Sequence, residues 1–330
     1  MRRHSIVICI LLINVILTTS IVPVFANTNL ESIGTINDSF KIREFGKYRV
    51  TIYYPTDRAG APYPAVIVAH GFLSCKSWHT WIGECLSSRG YVVLMFTVPD
   101  RYSSNVKQWV RGIESSIKLL TLKNCRWRSK LFKMVDLTRI GVLGHSMGAM
   151  ATLIAAANNP DSIQAAIVYG APYLEGYVTG NEMVDPIIDG IDWDAALTAA
   201  GELMMPVLFI HGTEDKFIEL NSPPYYGACS SPEKIEEEIV GGNHVGFMDD
   251  VSIKSTLLPL IDLLFDLPAG VRATLLGLLL TSQGGGVGTG DISLVDLALG
   301  LEIDNEATIS VEEQHQEFID ICLPFLEGVL

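Results

Sequence analysis

Basic side chains are scarce in this chain of 330 residues: 23 Lys and Arg stand against 37 Asp and Glu, a net charge of −14. An acidic surface repels phosphodiester backbones and other anionic polymers, so nucleic acid is not expected as a partner. Cysteine is also sparse, six in all, and no Cys or His spacing matches a metal-ligand set, so no bound zinc is expected. No segment repeats at a fixed period, which excludes a solenoid. Past residue 250 the apolar stretches 257–267, 271–280 and 292–301 are interrupted by Asp262, Asp266, Gly277 and the linker Gly284 to Gly290. None reaches the ~20 apolar residues of a membrane span.

The one long apolar run lies at the start. Arg2-Arg3 precede Ile6 to Val22, and Val24-Phe25-Ala26 has the small-residue character a signal peptidase reads. This pattern predicts a signal peptide over 1–26, cleavage after Ala26 and a secreted protein; an uncleaved membrane anchor is the alternative reading. Asn27 leaves no lipobox cysteine. Without that segment 304 residues remain, with net charge −16, enough for one large α/β domain with elaborations.

Short apolar runs at 65–69, 91–97, 139–143, 164–169 and 206–211 alternate with helical patterns at 78–89, 105–121, 147–158 and 311–326. Tyr48 to Tyr54 alternates like an early antiparallel strand, and Lys234 to Val240 like an edge strand. Alternation of this kind predicts a mostly parallel sheet with helices on both faces.

The chemistry is carried by Gly144-His145-Ser146-Met147-Gly148, which follows the apolar run 139–143 and opens the small-residue run 149–157. Strand, G-x-S-x-G and helix in this order form a nucleophile elbow, whose tight turn needs glycine on both sides of the serine. Ser146 is the expected nucleophile. A serine hydroxyl is a poor nucleophile at neutral pH, so an imidazole must take its proton and a carboxylate must orient that imidazole. Those partners are sought downstream, the acid first. The run 206–211 ends in Thr213-Glu214-Asp215, and Asp215 is the expected acid, ahead of Glu214 and Asp100. The edge strand ends in Gly241-Gly242-Asn243-His244, and His244 is the expected base. The oxyanion needs amide donors. Met147, after the nucleophile, supplies one, and Phe72, reached through His70-Gly71 after the run 65–69, supplies the other. His70 and His145 are read as structural.

Val135 to Val142, Gly-His-Ser-Met-Gly, Ala155-Ala156-Ala157-Asn158-Asn159-Pro160 and Gly170-Ala171-Pro172-Tyr173 together resemble the bacterial cutinases and polyethylene terephthalate (PET) hydrolases. The wider resemblance is to the dienelactone hydrolase and chlorophyllase-like members of the α/β-hydrolase superfamily. It covers roughly residues 40 to 250 and a final helix. It implies an α/β-hydrolase fold, the triad Ser146, Asp215 and His244, and the oxyanion amides of Phe72 and Met147. It also makes Phe72 and Tyr173 aromatic walls of a substrate cleft. Tyr173 stands where polyester hydrolases usually carry tryptophan. Residues 174–201 form a longer insertion than those enzymes have, and 251–308 form a second.

The expected organisation is a hydrolase core over 27–250, an apolar cap or lid over 251–308 and a final core helix over 309–330. Five cysteines follow residue 26: Cys75, Cys85, Cys125, Cys229 and Cys322. Export predicts one or two disulfides, with Cys229–Cys322 and Cys75–Cys125 the closest surfaces in such a fold. The expected activity is carboxylic ester hydrolysis through an acyl-enzyme, without a cofactor, on an ester substrate that includes polymeric ones. Lipase, general acyl esterase, chlorophyllase-like and peptidase activity, or a non-catalytic binding role on the same fold, stay open.

Overall fold

The computed structural model describes residues 32–101, 103–175, 188–215, 224–249 and 307–330. The expected signal segment and nearly all of the expected cap at 251–308 lie outside the described residues. Eight strands form one sheet: β1 (Ile33–Ile42), β2 (Gly46–Pro55), β3 (Tyr63–Ala69), β4 (Val92–Thr97), β5 (Val135–His145), β6 (Ala165–Tyr169), β7 (Val207–Gly212) and β8 (Lys234–Ile239). Their order is β1-β2-β4-β3-β5-β6-β7-β8. The pairs β1–β2 and β2–β4 are antiparallel, and every pair from β4 onward is parallel. This is the fold expected from the sequence, an α/β-hydrolase sheet with an antiparallel entry.

The parallel strands read as continuous apolar runs because both of their faces are covered. One face carries Ile67, Leu94, Phe96, Val142, Val168 and Phe209. It packs against helices α2 (Lys107–Cys125), α3 (Met147–Asn158) and α4 (Trp193–Glu202) through Trp109, Ile113, Met150, Leu153 and Ala196. The other face carries Val66, Val68, Val93, Leu143, Ile167 and Leu208. It is covered by α1 (Thr80–Ser87) and by the last helix, which follows a short helical turn α5 (Tyr225–Ala228) and is labelled α6 (Val311–Val329). Alternate residues of one strand thus feed two separate cores, the period-2 rule applied to a buried sheet.

Two expectations change. Residues 193–202, read as part of an insertion, form α4. Asp192 caps it by accepting the Ala195 N–H at 3.1 Å, and the buried alanines at 196, 199 and 200 let it pack closely on α3. The predicted disulfides are absent, since all five cysteines are free thiols. Cys229 belongs to the core on one face of the sheet and Cys322 to the core on the other, so the sheet separates them. Cys75 follows the carboxyl end of β3, whereas Cys125 closes α2 at the amino end of β5.

Candidate active site

In a parallel sheet the loops that can converge on a ligand leave from the carboxyl ends of the strands, and β3, β5, β6, β7 and β8 all send their expected site residues there. Ser146 stands between β5 and α3 with φ 56° and ψ −123°. A non-glycine residue held at positive φ costs of order 1–3 kcal/mol, which the surrounding structure must impose. Here it does so by close packing. A Cβ on Gly144 would lie 2.1 Å from the Gly148 carbonyl oxygen, and one on Gly148 would lie 2.2 Å from that of Ala69. Neither position admits a side chain, which is the physical content of the two glycines in the motif. The Ser146 N–H donates to the Tyr169 carbonyl at 3.0 Å, locking the turn to β6.

Asp215 follows β7 and is fully buried. Its Oδ2 lies 2.9 Å from His244 Nδ1. That contact fixes the tautomer: Nδ1–H donates to the carboxylate and Nε2 is left as the base. Gly170 crosses beside the pair at φ 54°, where a Cβ would meet Asp215 Oδ2 at 3.1 Å and His244 Nδ1 at 3.2 Å. Glu214 is directed elsewhere, its N–H bonded to Gly242 O and its Oε1 close to the Thr213 hydroxyl. Asp100 lies exposed beyond β4.

Met147 is the first residue of α3, so its N–H belongs to the first helical turn, which has no intrahelical acceptor. The loop carrying Phe72 approaches from β3. A Cβ on Gly71 would lie 2.9 Å from that of Ser146, so this backbone passes directly over Ser146. His70 holds the loop in place. Its Nε2 accepts the Val98 N–H at 3.2 Å, and its Nδ1–H therefore donates to Gly71 O at 2.7 Å. Burial pushes its pKa down to about 4, which keeps it neutral. Phe72 is half-buried against the core. Tyr173 meets Trp193 and Tyr225 edge-on at 6.2 and 5.9 Å, and its hydroxyl donates to Glu175.

Two residues that sequence reasoning did not place in the site hold His244. Gln314, on α6 and almost fully buried, brackets Asn243: Oε1 accepts its N–H at 3.0 Å and Nε2 donates to its carbonyl at 2.7 Å. The same Nε2 reaches the Tyr169 hydroxyl at 2.6 Å. His145, read as structural, donates from Nε2 to the His244 carbonyl at 3.0 Å. Its pKa is held well below the ordinary value by burial, then by the neighbouring His244 and His79. The backbone on both sides of the base is thus fixed by buried side chains. The only sequence signal near Gln314 was the Ser310-x-x-Glu313 capping box that starts its helix.

Among the described residues no cluster of His, Cys, Asp and Glu could hold a metal ion. Residues 35–178, which hold β2 to β6 and the elbow, match the PETase family, described as PET hydrolase-like. The chain has the α/β-hydrolase fold. It resembles a bis(hydroxyethyl) terephthalate hydrolase of Streptomyces coelicolor, 30% identical over 215 residues, covering 64% of this chain and 66% of the relative. It is 28% identical over 198 residues to cutinase est2 of Thermobifida alba, covering 59% and 56%, and 33% identical over 153 residues to cutinase 1 of Thermobifida cellulosilytica, covering 46% and 54%. The chain therefore spans between about half and two thirds of the length of these relatives.

Proposed function

We propose that the chain is a secreted carboxylic ester hydrolase of cutinase-like or polyester-hydrolase-like specificity. The observation that carries the reading is the buried Asp215–His244 contact of 2.9 Å beside a serine held at positive φ on a strand-to-helix turn. In this reading Ser146 Oγ attacks the ester carbonyl while His244 Nε2 takes its proton. Asp215 stabilises the imidazolium, and the amides of Phe72 and Met147 receive the oxyanion. The proton then passes from His244 to the departing alcohol. Water, activated by the same imidazole, releases the acid from the acyl-enzyme.

The relatives' names, which specify cutin and a terephthalate ester, support an ester with a flat or polymeric acyl part. Phe72 and Tyr173 would flank such a group. Secretion rests on the sequence of residues 1–26.

Ser146→Ala should abolish turnover of p-nitrophenyl esters while the protein stays folded, and a fluorophosphonate should label Ser146 alone. Full activity in the alanine variant would sink the mechanism. A panel of short and long acyl esters, triglyceride, polycaprolactone, an aromatic polyester and chlorophyll sorts the subtype. Release of acid from a polymer is the expected outcome, and activity confined to triglyceride or chlorophyll would reject it.

A further inference from the structure

Between Glu114 and Asp136 the chain has no acidic residue and six basic ones: Lys118, Lys123, Arg126, Arg128, Lys130 and Lys133. In a protein of net charge −14 this is a local reversal of sign. Among the described residues only Lys123 of the six forms an ion pair, with Asp38. The other five are exposed. Two large apolar side chains stand out among them, Trp127 at 72% exposure and Leu122 at 58%, and the Arg128 guanidinium lies 4.5 Å from the Trp127 ring centre.

The segment is firmly built. Asn124 bonds both backbone groups of Val135, the Lys133 N–H donates to Asn124 O, and Leu131 and Met134 are buried beneath it. Arg58, from the β2–β3 connection, bonds the carbonyls of Lys130 and Phe132 and adds a seventh cation. A stiff turn that displays tryptophan and leucine among arginines has no reason in its own stability to do so, since exposed apolar surface contributes nothing to the core.

Sheet register places this turn. β5 begins directly after it and ends at His145, so the patch and Ser146 lie at opposite ends of one strand; Val135 and Gly144 pair with Tyr63 and Ala69, six residues apart on β3, a span of about 20 Å at ~3.3 Å per residue. The amino end of β1 lies at the patch end too. Ile33 pairs with Pro55 where β2 leaves the sheet, and Tyr63 pairs with Val135 where β3 and β5 enter it. Only ten residues separate the apolar run that ends at Val22 from Ile33, a reach of at most about 35 Å. In the membrane-anchored alternative this tether would deliver this end of the sheet first to the lipid surface; in the cleaved, secreted form the patch alone carries the docking.

We propose that the face formed by Arg126, Trp127, Arg128, Lys130 and Lys133 docks on an anionic phospholipid bilayer, with the candidate active site facing away from it. Clustered Lys and Arg are attracted to anionic headgroups, and tryptophan settles at the headgroup level. The acidic remainder of the protein is repelled, which selects this one orientation.

Flotation of the full chain with vesicles of phosphatidylcholine, alone or with roughly one third phosphatidylglycerol, tests the proposal. The native chain should partition preferentially onto the anionic vesicles and lose that preference at about 0.5 M salt. Replacing Arg126, Arg128 and Lys130 together by serine should weaken the anionic preference about 100-fold. Turnover of a soluble p-nitrophenyl ester should match the native chain, and the native enzyme should retain it while bound. Comparing variant with parent in the full chain cancels any contribution of residues 1–26. Equal partition of the native chain onto both vesicles, or an unchanged preference in the triple variant, overturns the proposal. So does salt-sensitive binding of inorganic polyphosphate that Trp127→Ala leaves intact while vesicle binding is absent, for that describes a soluble polyanion site.

Discussion

The turn that leads into β5 holds its shape with side chains, and the turn that leads out of it holds its shape by lacking them. At the entrance, Asn124, Ser129 and Arg58 tie the backbone, and every outward side chain points into solvent. At the exit, Gly144 and Gly148 let carbonyls and a neighbouring strand approach to distances that no Cβ allows, and Ser146 is left in a conformation it would not choose. At one end the exposed side chains can change while Asn124, Ser129, Arg58 and the buried Leu131 and Met134 keep the form. At the other, form and sequence are the same constraint.

That contrast sets the scale of what substitution should do at each end. After the loss of Ser146 itself, the largest effect is expected at the buried Asp215, the candidate acid. Asp215→Asn keeps the shape and removes the charge that selects the His244 tautomer, so turnover should fall about 10⁴-fold, while Glu214→Gln should leave it nearly unchanged. Steady-state kinetics on both variants decides the matter, and the reverse order would reassign the acid.

Acid should follow. His70, His79 and His145 are buried and neutral, with pKa values of about 4, about 3 and well below the ordinary value, all mainly through burial. In the unfolded chain each titrates near 6.5. Between pH 6.5 and 4 the unfolded state therefore binds protons that the folded state refuses. Their stabilising contribution is complete above pH 6.5 and is lost as pH falls, by about 1.4 kcal/mol per pH unit for each histidine. Denaturant midpoints at pH 7 and 5.5 should separate clearly. Coincident midpoints would mean that these rings are not buried neutral groups. The patch at the entrance to β5 has no such histidine, and its arginines stay charged throughout.

A smaller, more selective loss is expected at Gln314. Gln314→Leu fills the same space but strands the N–H and carbonyl of Asn243, so the loop carrying the base should shift and kcat/KM fall about 10–100-fold. The informative readout is the acid limb of the pH–rate profile, which should move as His244 moves relative to Asp215. A lower melting temperature with an unmoved profile would reduce Gln314 to a packing residue.

These three sites also differ in how legible they were. The elbow could be read because its chemistry is local: five consecutive residues carry both the nucleophile and the steric reason for their neighbours. Asp215 and His244 were legible at one remove, through the rule that acid and base follow later strands in order. Gln314 was not, because a glutamine on an amphipathic helix is ordinary, and its meaning comes from packing against Asn243, 71 residues earlier in the chain. Strand β1 was missed for a related reason. Its apolar residues at 33, 36, 40 and 42 break the two-residue alternation, since an edge strand that is half exposed on both faces needs no strict pattern. The disulfide expectation failed because nearness on a generic fold says nothing about which side of a sheet a residue faces.

The far edge of the sheet has a consequence for how the molecule behaves in a crowd. Among the described residues strand β8 pairs on one side only, with β7, and its Glu236, Glu237 and Glu238 are all exposed. A second copy laying its own β8 alongside would bring three carboxylates against three others, whichever direction it ran. Backbone groups that could nucleate an endless ribbon are thereby made poor company for their own kind. Concentrated solutions at neutral pH should stay free of cross-strand fibrils for this reason, and strongly acidic ones should not.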